Sequence, residues 1–569
     1  MSEELKMNDT QAVATSKATS SRASDAPITK CFVCEQTLFL SFFFDALGHD
    51  RLADLPKNRL SNVGRVFEAH RQRSKQAGIH PFYYEGLGTD LRAFPGMAGA
   101  AQKALLETGK AVVSEAGGKA AEAVTDKAKA AASGVAQGQS LKLHTQALRK
   151  ELPGDLRKAL TDPSSYVEGV LESIFSKVVD IFPQFRDNKL AASVLNTGAQ
   201  TRIDKALKDF DDVLAAQSMP IRTVQIAVFG AERGASLARA FVNTLIDKRC
   251  KEDGGGLVLK KGAKPTAVEF KFVGLFDAQS TVAEFGKEYE VIRRTIGKLV
   301  GFATGLIGAG GLRDTFELDL PKQVQRVVHM VAGNETRLIA AVDSLAKSEA
   351  MSREESVYPG SQPDVIGGLA PMEREKVVDL ARLPARKMLL EAQAAGVPMF
   401  TPQQLDKIAP RTAELFAMPS RIHVADQTTP VGAVRLLQAW RRDTGIQDGM
   451  PLAKALFLAQ KAYLAYLKAQ HGIHPTITSN RAAFQANKLK KRTDSYTDPD
   501  ERQLIEAWDK PQRLSSETMA LFSLMCHPPA LNWTNDVTMQ DTDVLTTRPI
   551  TGDPDRWDQI KAKVSVMTS

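Results

Sequence analysis

Apolar positions along this chain fall into short continuous runs separated by longer amphipathic stretches. Residues 38–44 (LFLSFFF) and 223–229 (TVQIAVF) are such runs, and 268–276 (VEFKFVGLF) and 325–332 (QRVVHMVA) repeat the pattern. Runs of this length, rich in β-branched and aromatic residues and bounded by turn signals, predict buried strands. A further strand is expected at 80–84. Residues 60–76 carry Val63, Val66, Phe67 and His70 at helical spacing, and 235–249 reads as an amphipathic helix. A Gly/Lys loop is expected at 251–264 and another loop at 352–371. Strands alternating with helices predict an α/β protein with a mostly parallel, doubly wound sheet, whose functional groups gather at the carboxyl ends of the strands.

The pattern changes between 97 and 139, where Ala, Gly, Lys and Glu dominate. Ala is the best helix former and the charges alternate in sign, so helices with small-residue faces are expected. More helices follow to residue 216. The resulting division is a tail at 1–28, a discontinuous core at 29–96 and 220–425, a helical insertion or cap at 97–219, and a helical C-terminal region with a polar tail at 426–569. At ~150 residues per domain, 569 residues allow roughly two to four domains.

Composition changes little in this picture. With 43% hydrophobic residues the chain can bury a large core. The net charge of +8 is a small excess of 74 basic over 66 acidic residues, so nucleic acid is not expected as a partner. Four cysteines argue against a disulfide framework. Cys31 and Cys34 form a lone C-x-x-C without a second pair, so no metal and no cofactor is expected. The N-terminus has no apolar core, so no secretory signal is read there. The glycine-rich run 299–312 is too short to span a bilayer, and no transmembrane helix is expected.

The candidate chemistry lies in the sharp strand-to-helix turn G-A-E-R-G at 230–234. In G-x-S-x-G the flanking glycines let strand and helix approach closely and push the middle residue to the apex. Here the apex is Glu232. Further ordered motifs are FFFDALGHD at 42–50, YYEGLGT at 83–89, GLFDAQSTV at 274–282, HMVAGNETR at 329–337, YPGSQPDVIGG at 358–368 and LARLPARKMLLEAQAAGVP at 380–398. Together with FGAERGASLARAF at 229–241, they resemble the type VI secretion phospholipase effectors of the α/β-hydrolase class, antibacterial lipases of bacteria. The resemblance runs from about residue 38 to 400.

That resemblance implies an α/β-hydrolase-like fold with Glu232 at the nucleophile position, Asp277 as the acid and Gln362 at the base position. Asp45, Ala46 and the backbone of Arg233 would shape the oxyanion turn. It also implies a secretion spike or adaptor and a cognate immunity protein as partners, a phospholipid or membrane surface as target, and delivery from the cytoplasm of the producing bacterium. The family's serine and histidine are replaced, and its D-G-T turn reads Asp45-Ala46-Leu47. A serine hydroxyl attacks because an imidazole takes its proton. A carboxylate that attacks an ester carbonyl is itself the better leaving group, so the adduct reverts.

The expectation is therefore a catalytically silent relative that acts by binding. The alternative is an active lipid esterase or phospholipase with a rearranged site, which needs His329, His49 or His527 to approach Glu232 and Asp277. Glu232 is expected to accept N–H bonds at the start of its helix, or to pair with Arg233 or Arg239. His329 reads as a satisfied core histidine and Ser236 as pointing away from the elbow. Glu335 and Arg337 read as a structural ion pair, and 488–492 (KLKKR) as a solvated helix face.

Overall fold

In a computed structural model of the chain, the described residues are 35–74, 77–91, 198–262, 265–280, 312–336, 340–372, 376–471, 499–527 and 547–551, apart from positions 90, 419, 425–426, 429–430 and 549. The tail at 1–28, most of the insertion at 97–219, and the segments 299–312 (but for Leu312) and 488–492 lie outside them, as do Cys31, Cys34 and Arg337.

The sheet is mixed and largely parallel. Strands β1 (Gln36–Phe44), β2 (Ile79–Tyr84), β3 (Ile221–Ala231), β6 (Ala267–Phe276), β7 (Arg326–Ala332) and β9 (Ser352–Tyr358) run parallel in the spatial order β2-β1-β3-β6-β7-β9. The hairpin β4 (Cys250–Asp253) and β5 (Gly256–Leu259) adds to the starting half of β6 in antiparallel fashion. A two-residue strand β8 (Val342–Asp343) pairs with Ile550–Thr551 from the far end of the chain.

The alternation along β1 shows how the layers form. Leu38, Leu40, Phe42 and Phe44 enter one apolar layer, with the helices Ala199–Ala215 and Arg233–Arg249. Phe39 and Phe43 enter the other, with Asn62–Glu68, Asp379–Ala394 and the helices that carry Trp440, Leu456 and Leu521. Successive side chains of a strand point to opposite faces, so a strand apolar throughout needs cover on both. Phe43 stacks on Phe229 with ring centroids 4.6 Å apart, and Phe42 meets Phe241 at 4.6 Å. Such aromatic pairs add about 0.5–1.5 kcal/mol beyond the area they bury.

Three expectations change. The helix read over 60–76 stops at Glu68, and His70 is turned so that its Nε2 lies 2.8 Å from Ser41 Oγ on β1. The loop expected at 251–264 contains most of the β4–β5 hairpin. The loop expected at 352–371 opens with β9, of which only the last three residues, Val357 among them, are buried in sequence. No helix among the described residues is long and apolar enough to cross a membrane.

Candidate functional site

The elbow forms where β3 meets the helix Arg233–Arg249. Its glycines are required by packing. A β-carbon on Gly230 would stand 2.3 Å from Gly234 O, and one on Gly234 would stand 2.3 Å from Asp45 O and 2.4 Å from Phe44 O. Gly234 thus lets the end of β1 lie directly against the elbow. Glu232 takes φ 53° and ψ −120° at the apex, a conformation L-residues rarely adopt. Its N–H donates to Phe276 O at 2.8 Å, and its C=O accepts from Ala235 N–H and Gln279 N–H, both at 3.1 Å. Backbone strain of this kind costs about 1–3 kcal/mol and persists only where the surroundings fix it.

The Glu232 side chain does not cap its helix. Instead Oε2 accepts the backbone N–H of Leu47 at 2.9 Å. The partner comes from the turn after β1, the segment expected to shape an oxyanion site. Within that turn Ala46 N–H does not face the apex; it donates to Asp45 Oδ1 at 2.7 Å, and Tyr83 Oη donates to Asp45 Oδ2. Burial pushes the Asp45 carboxyl up, against the opposing pull of His49 and of its own hydrogen bonds. Arg239 pairs with Asp343 (2.6 Å) and Asp319 (3.3 Å), not with Glu232. Burial pulls the Arg233 guanidinium down, and Glu232 works against that.

The residue expected as the acid, Asp277, is held by an ion pair. Asp277, with φ 53°, follows β6 and is fully buried. Arg548 Nη1 donates to its Oδ1 and Nη2 to its Oδ2 at 2.8 Å. Ala332 N–H donates to Oδ1 at 2.9 Å and Gln279 Nε2 to Oδ2 at 3.2 Å. Arg548 lies next to the strand segment that pairs with β8, and its Nε donates to Ala340 O at 2.7 Å. The partner of Asp277 is therefore a guanidinium from the end of the chain, where an imidazole would stand in a Ser-His-Asp set.

Gln362, expected at the base position, begins a short helix, Gln362–Ile366. Gln362 N–H faces Glu335 Oε2 at 3.4 Å. Two histidines weighed as substitutes are committed elsewhere. His329 is buried, its Nε2 accepts Ala278 N–H at 2.9 Å, and its Nδ1 lies 3.0 Å from Glu355 Oε1. His527 Nδ1 lies 2.6 Å from Asp364 Oδ1, and its N–H donates to Asp364 Oδ2 at 2.9 Å. Ser236 is buried, with Oγ donating to Gln279 O at 2.8 Å. Among the described residues, no histidine nitrogen is hydrogen-bonded to Glu232 or Asp277.

No protein-family model matches this chain, and no curated protein matches it. Among solved structures it is similar to an uncharacterized protein from Pseudomonas aeruginosa, with TM-score 0.44 and 18% identity over 85% of this chain and 61% of that one. It is also similar to the Tle1 effector bound to the VgrG spike from the Type 6 secretion system, with TM-score 0.30 and 14% identity over 87% of this chain and 84% of that one. The chain thus spans 61% of the length of the Pseudomonas aeruginosa structure.

His49, the third histidine weighed as a substitute, is also held by another group. Its Nδ1 lies 3.1 Å from Asp54 Oδ2, on the first turn of the short helix Arg51–Asp54. Asp50 caps that helix by accepting Leu52 N–H at 3.0 Å, and Asp50 N–H donates back to Asp54 at 3.1 Å. Burial lowers the proton affinity of His49, but the Asp54 bond and the Asp45 and Glu232 carboxylates outweigh it, raising the imidazole above its ordinary value. Burial pushes the Asp54 carboxyl up, but the bonds from His49 and Asp50 N–H, with the charges of His49 and Arg59, together outweigh it and hold that carboxyl below its usual range.

Proposed function

We propose that this chain is a lipase-effector-like protein that has lost acyl-ester hydrolysis and acts by binding. The observation that carries the reading is the hydrogen bond from Leu47 N–H to Glu232 Oε2 at 2.9 Å. A donor in this turn would serve an ester's developing oxyanion. With a carboxylate already seated on it, a second negative oxygen there meets repulsion as well as occupancy. The occupation of Asp277 by Arg548 supports the same conclusion from the acid side.

On this reading the fold is of the α/β-hydrolase kind, supported by the parallel order β2-β1-β3-β6-β7-β9 and by an elbow after a central strand. The core is 29–96 with 220–425, the insertion 97–219, and 426–569 a helical C-terminal region. Glu232, Asp277 and Gln362 hold the nucleophile, acid and base positions, with Asp45, Ala46 and Arg233 around the oxyanion turn. The partner class implied by the motif resemblance is a secretion spike or adaptor and a cognate immunity protein, with a phospholipid surface as a further target.

The test is a fatty-acid release assay on mixed phospholipid vesicles, run beside co-purification with a spike protein from the same genome. No release, with retention of the spike, is expected. Robust ester hydrolysis by the natural sequence overturns the proposal. The double variant Glu232→Ser, Gln362→His asks whether the site still accepts lipid once both groups return.

A further inference from the structure

The helix Asn62–Glu68 buries a cation that no carboxylate grips. Arg65 is 4% exposed. Among the described residues its one hydrogen bond runs from Nη1 to Asn62 Oδ1, a neutral amide, at 2.8 Å, and it forms no ion pair. Its Nε is buried without a hydrogen-bond partner. A buried arginine is ordinarily paired, and the edge formed by Nε and Nη2 is a fork that holds a carboxylate or a phosphate side-on. Asn62 fixes which edge is left over. Its Nδ2 donates to Val365 O at 2.7 Å and to Ala381 O at 2.8 Å, which leaves its Oδ1 for Arg65 Nη1.

The residue after Ala381 is a second arginine. Arg382 Nη1 lies 2.9 Å from Asp379 Oδ1 and donates to Ala417 O at 3.3 Å, while its Nε is also buried without a partner. Its side chain is 27% exposed, so it links the buried Arg65 to solvent. One helical turn further on, Arg386 Nη1 donates to Phe416 O at 3.3 Å, its one hydrogen bond among the described residues. The two carbonyls are neighbours, so both guanidinium heads meet at one turn of chain. Burial and the charge of Arg382 hold the Arg65 guanidinium down at about 10, against the opposing pull of Asp379. Three guanidiniums thus share one ion-paired carboxylate among the described residues.

We propose that Arg65, Arg382 and Arg386 form a binding site for a phosphate-type dianion, between the helices Asn62–Glu68 and Asp379–Ala394 and the turn at 416–417. A carboxylate would satisfy one fork. A phosphate offers acceptors in three directions and two negative charges, which matches the positive excess of the cluster. Arg65 supplies the fixed fork, because Asn62 already orients it. Arg382 and Arg386 supply the adaptable arms. Their 3.3 Å bonds to carbonyl oxygens are long, so exchanging them for charge-assisted bonds to an anion is favourable. Orthophosphate and the phosphate monoester headgroup of a lipid share this chemistry.

Neither the elbow nor Asp277 takes part, so fatty-acid release and spike retention do not report on this site. The full chain is titrated with inorganic phosphate at constant ionic strength, against chloride, and followed by calorimetry and by Tm. Binding with a rise in Tm is expected. It should weaken about 10-fold or more in Arg382→Gln, the loss of one charge-assisted bond, and vanish in Arg65→Met. If Arg65→Met does not fold, Arg382→Gln and Arg386→Gln, both at partly exposed positions, carry the test. Flotation with phosphatidic acid vesicles, beside phosphatidylcholine vesicles, separates the two sources. Capture by phosphatidic acid that needs Arg382 assigns the lipid headgroup, and orthophosphate binding without capture assigns the free ion. The proposal is overturned if neither probe binds, if binding is unchanged in the arginine variants, or if chloride raises Tm as much as phosphate does.

Discussion

Replacing Arg548 by methionine tests the claim that the acid position has become a structural ion pair. Both side chains are fully buried, and the guanidinium covers both oxygens of Asp277 while also donating to Ala340 O and Ala332 O. Methionine keeps much of the volume and removes the charge. Asp277 would retain Ala332 N–H and Gln279 Nε2 but no cation, and breaking a buried pair from one side costs about 3–5 kcal/mol. That is a large share of the ~5–15 kcal/mol that holds a typical protein folded. The assay is urea denaturation followed by tryptophan fluorescence, since Trp440 and Trp508 are buried. In the double variant Arg548→Met, Asp277→Asn the orphan charge is gone, and roughly 1–3 kcal/mol of the loss is expected to return. The reasoning fails if Arg548→Met costs under ~1 kcal/mol, or if Asp277→Asn does not reduce its cost.

Other outcomes follow from the same geometry. Gly234→Ala should lose about 1–3 kcal/mol or more, read as a fall in Tm, because the added carbon meets the backbone oxygens of Asp45 and Phe44. Burial lowers His70 from its usual value to about 4, so the folded state keeps it neutral where the unfolded chain is protonated. Its contribution is complete above pH ~6.5 and is lost as pH falls toward ~4, which amounts to about 3 kcal/mol. Denaturation midpoints of His70→Gln should accordingly fall less steeply with acid. His49 runs the other way. With its folded value raised, its contribution is complete below pH ~6.5 and fades as pH rises through the folded value. An NMR titration of His49 should fall toward the ordinary range in Asp54→Asn.

The apolar runs made β1, β3, β6 and β7 legible, because their carboxyl-terminal halves are buried on both faces, although the first halves of β3 and β6 still alternate with Gln225, Glu269 and Lys271. The β4–β5 hairpin was not, since its two strands are four residues each and bury only Cys250 and Leu257. Strand β9 was hidden by SREE, in which Glu354 pairs with Arg326 and Lys387, Glu355 with His329, and Arg353 donates to backbone carbonyls. The elbow was legible from two glycines. The partners of its carboxylates were not, because they lie far away in sequence: Glu232 finds Leu47, and Asp277 finds Arg548. Periodicity reports which face is apolar, and it is silent on which distant polar group completes a buried charge.

Strands β1 and β3 are neighbours in the sheet, with Phe43 opposite Phe229 and Phe44 opposite Gly230, although residues 45–220, β2 among them, separate them in sequence. Closing a long loop costs free energy only logarithmically in its length, ~0.6 kcal/mol for each doubling. Residues can therefore be gained or shed between β2 and β3 at little thermodynamic expense, while the register that sets Leu47 against Glu232 is untouched. This junction is where lineages of the protein should differ most in length, and where a foreign module can be grafted without disturbing the elbow.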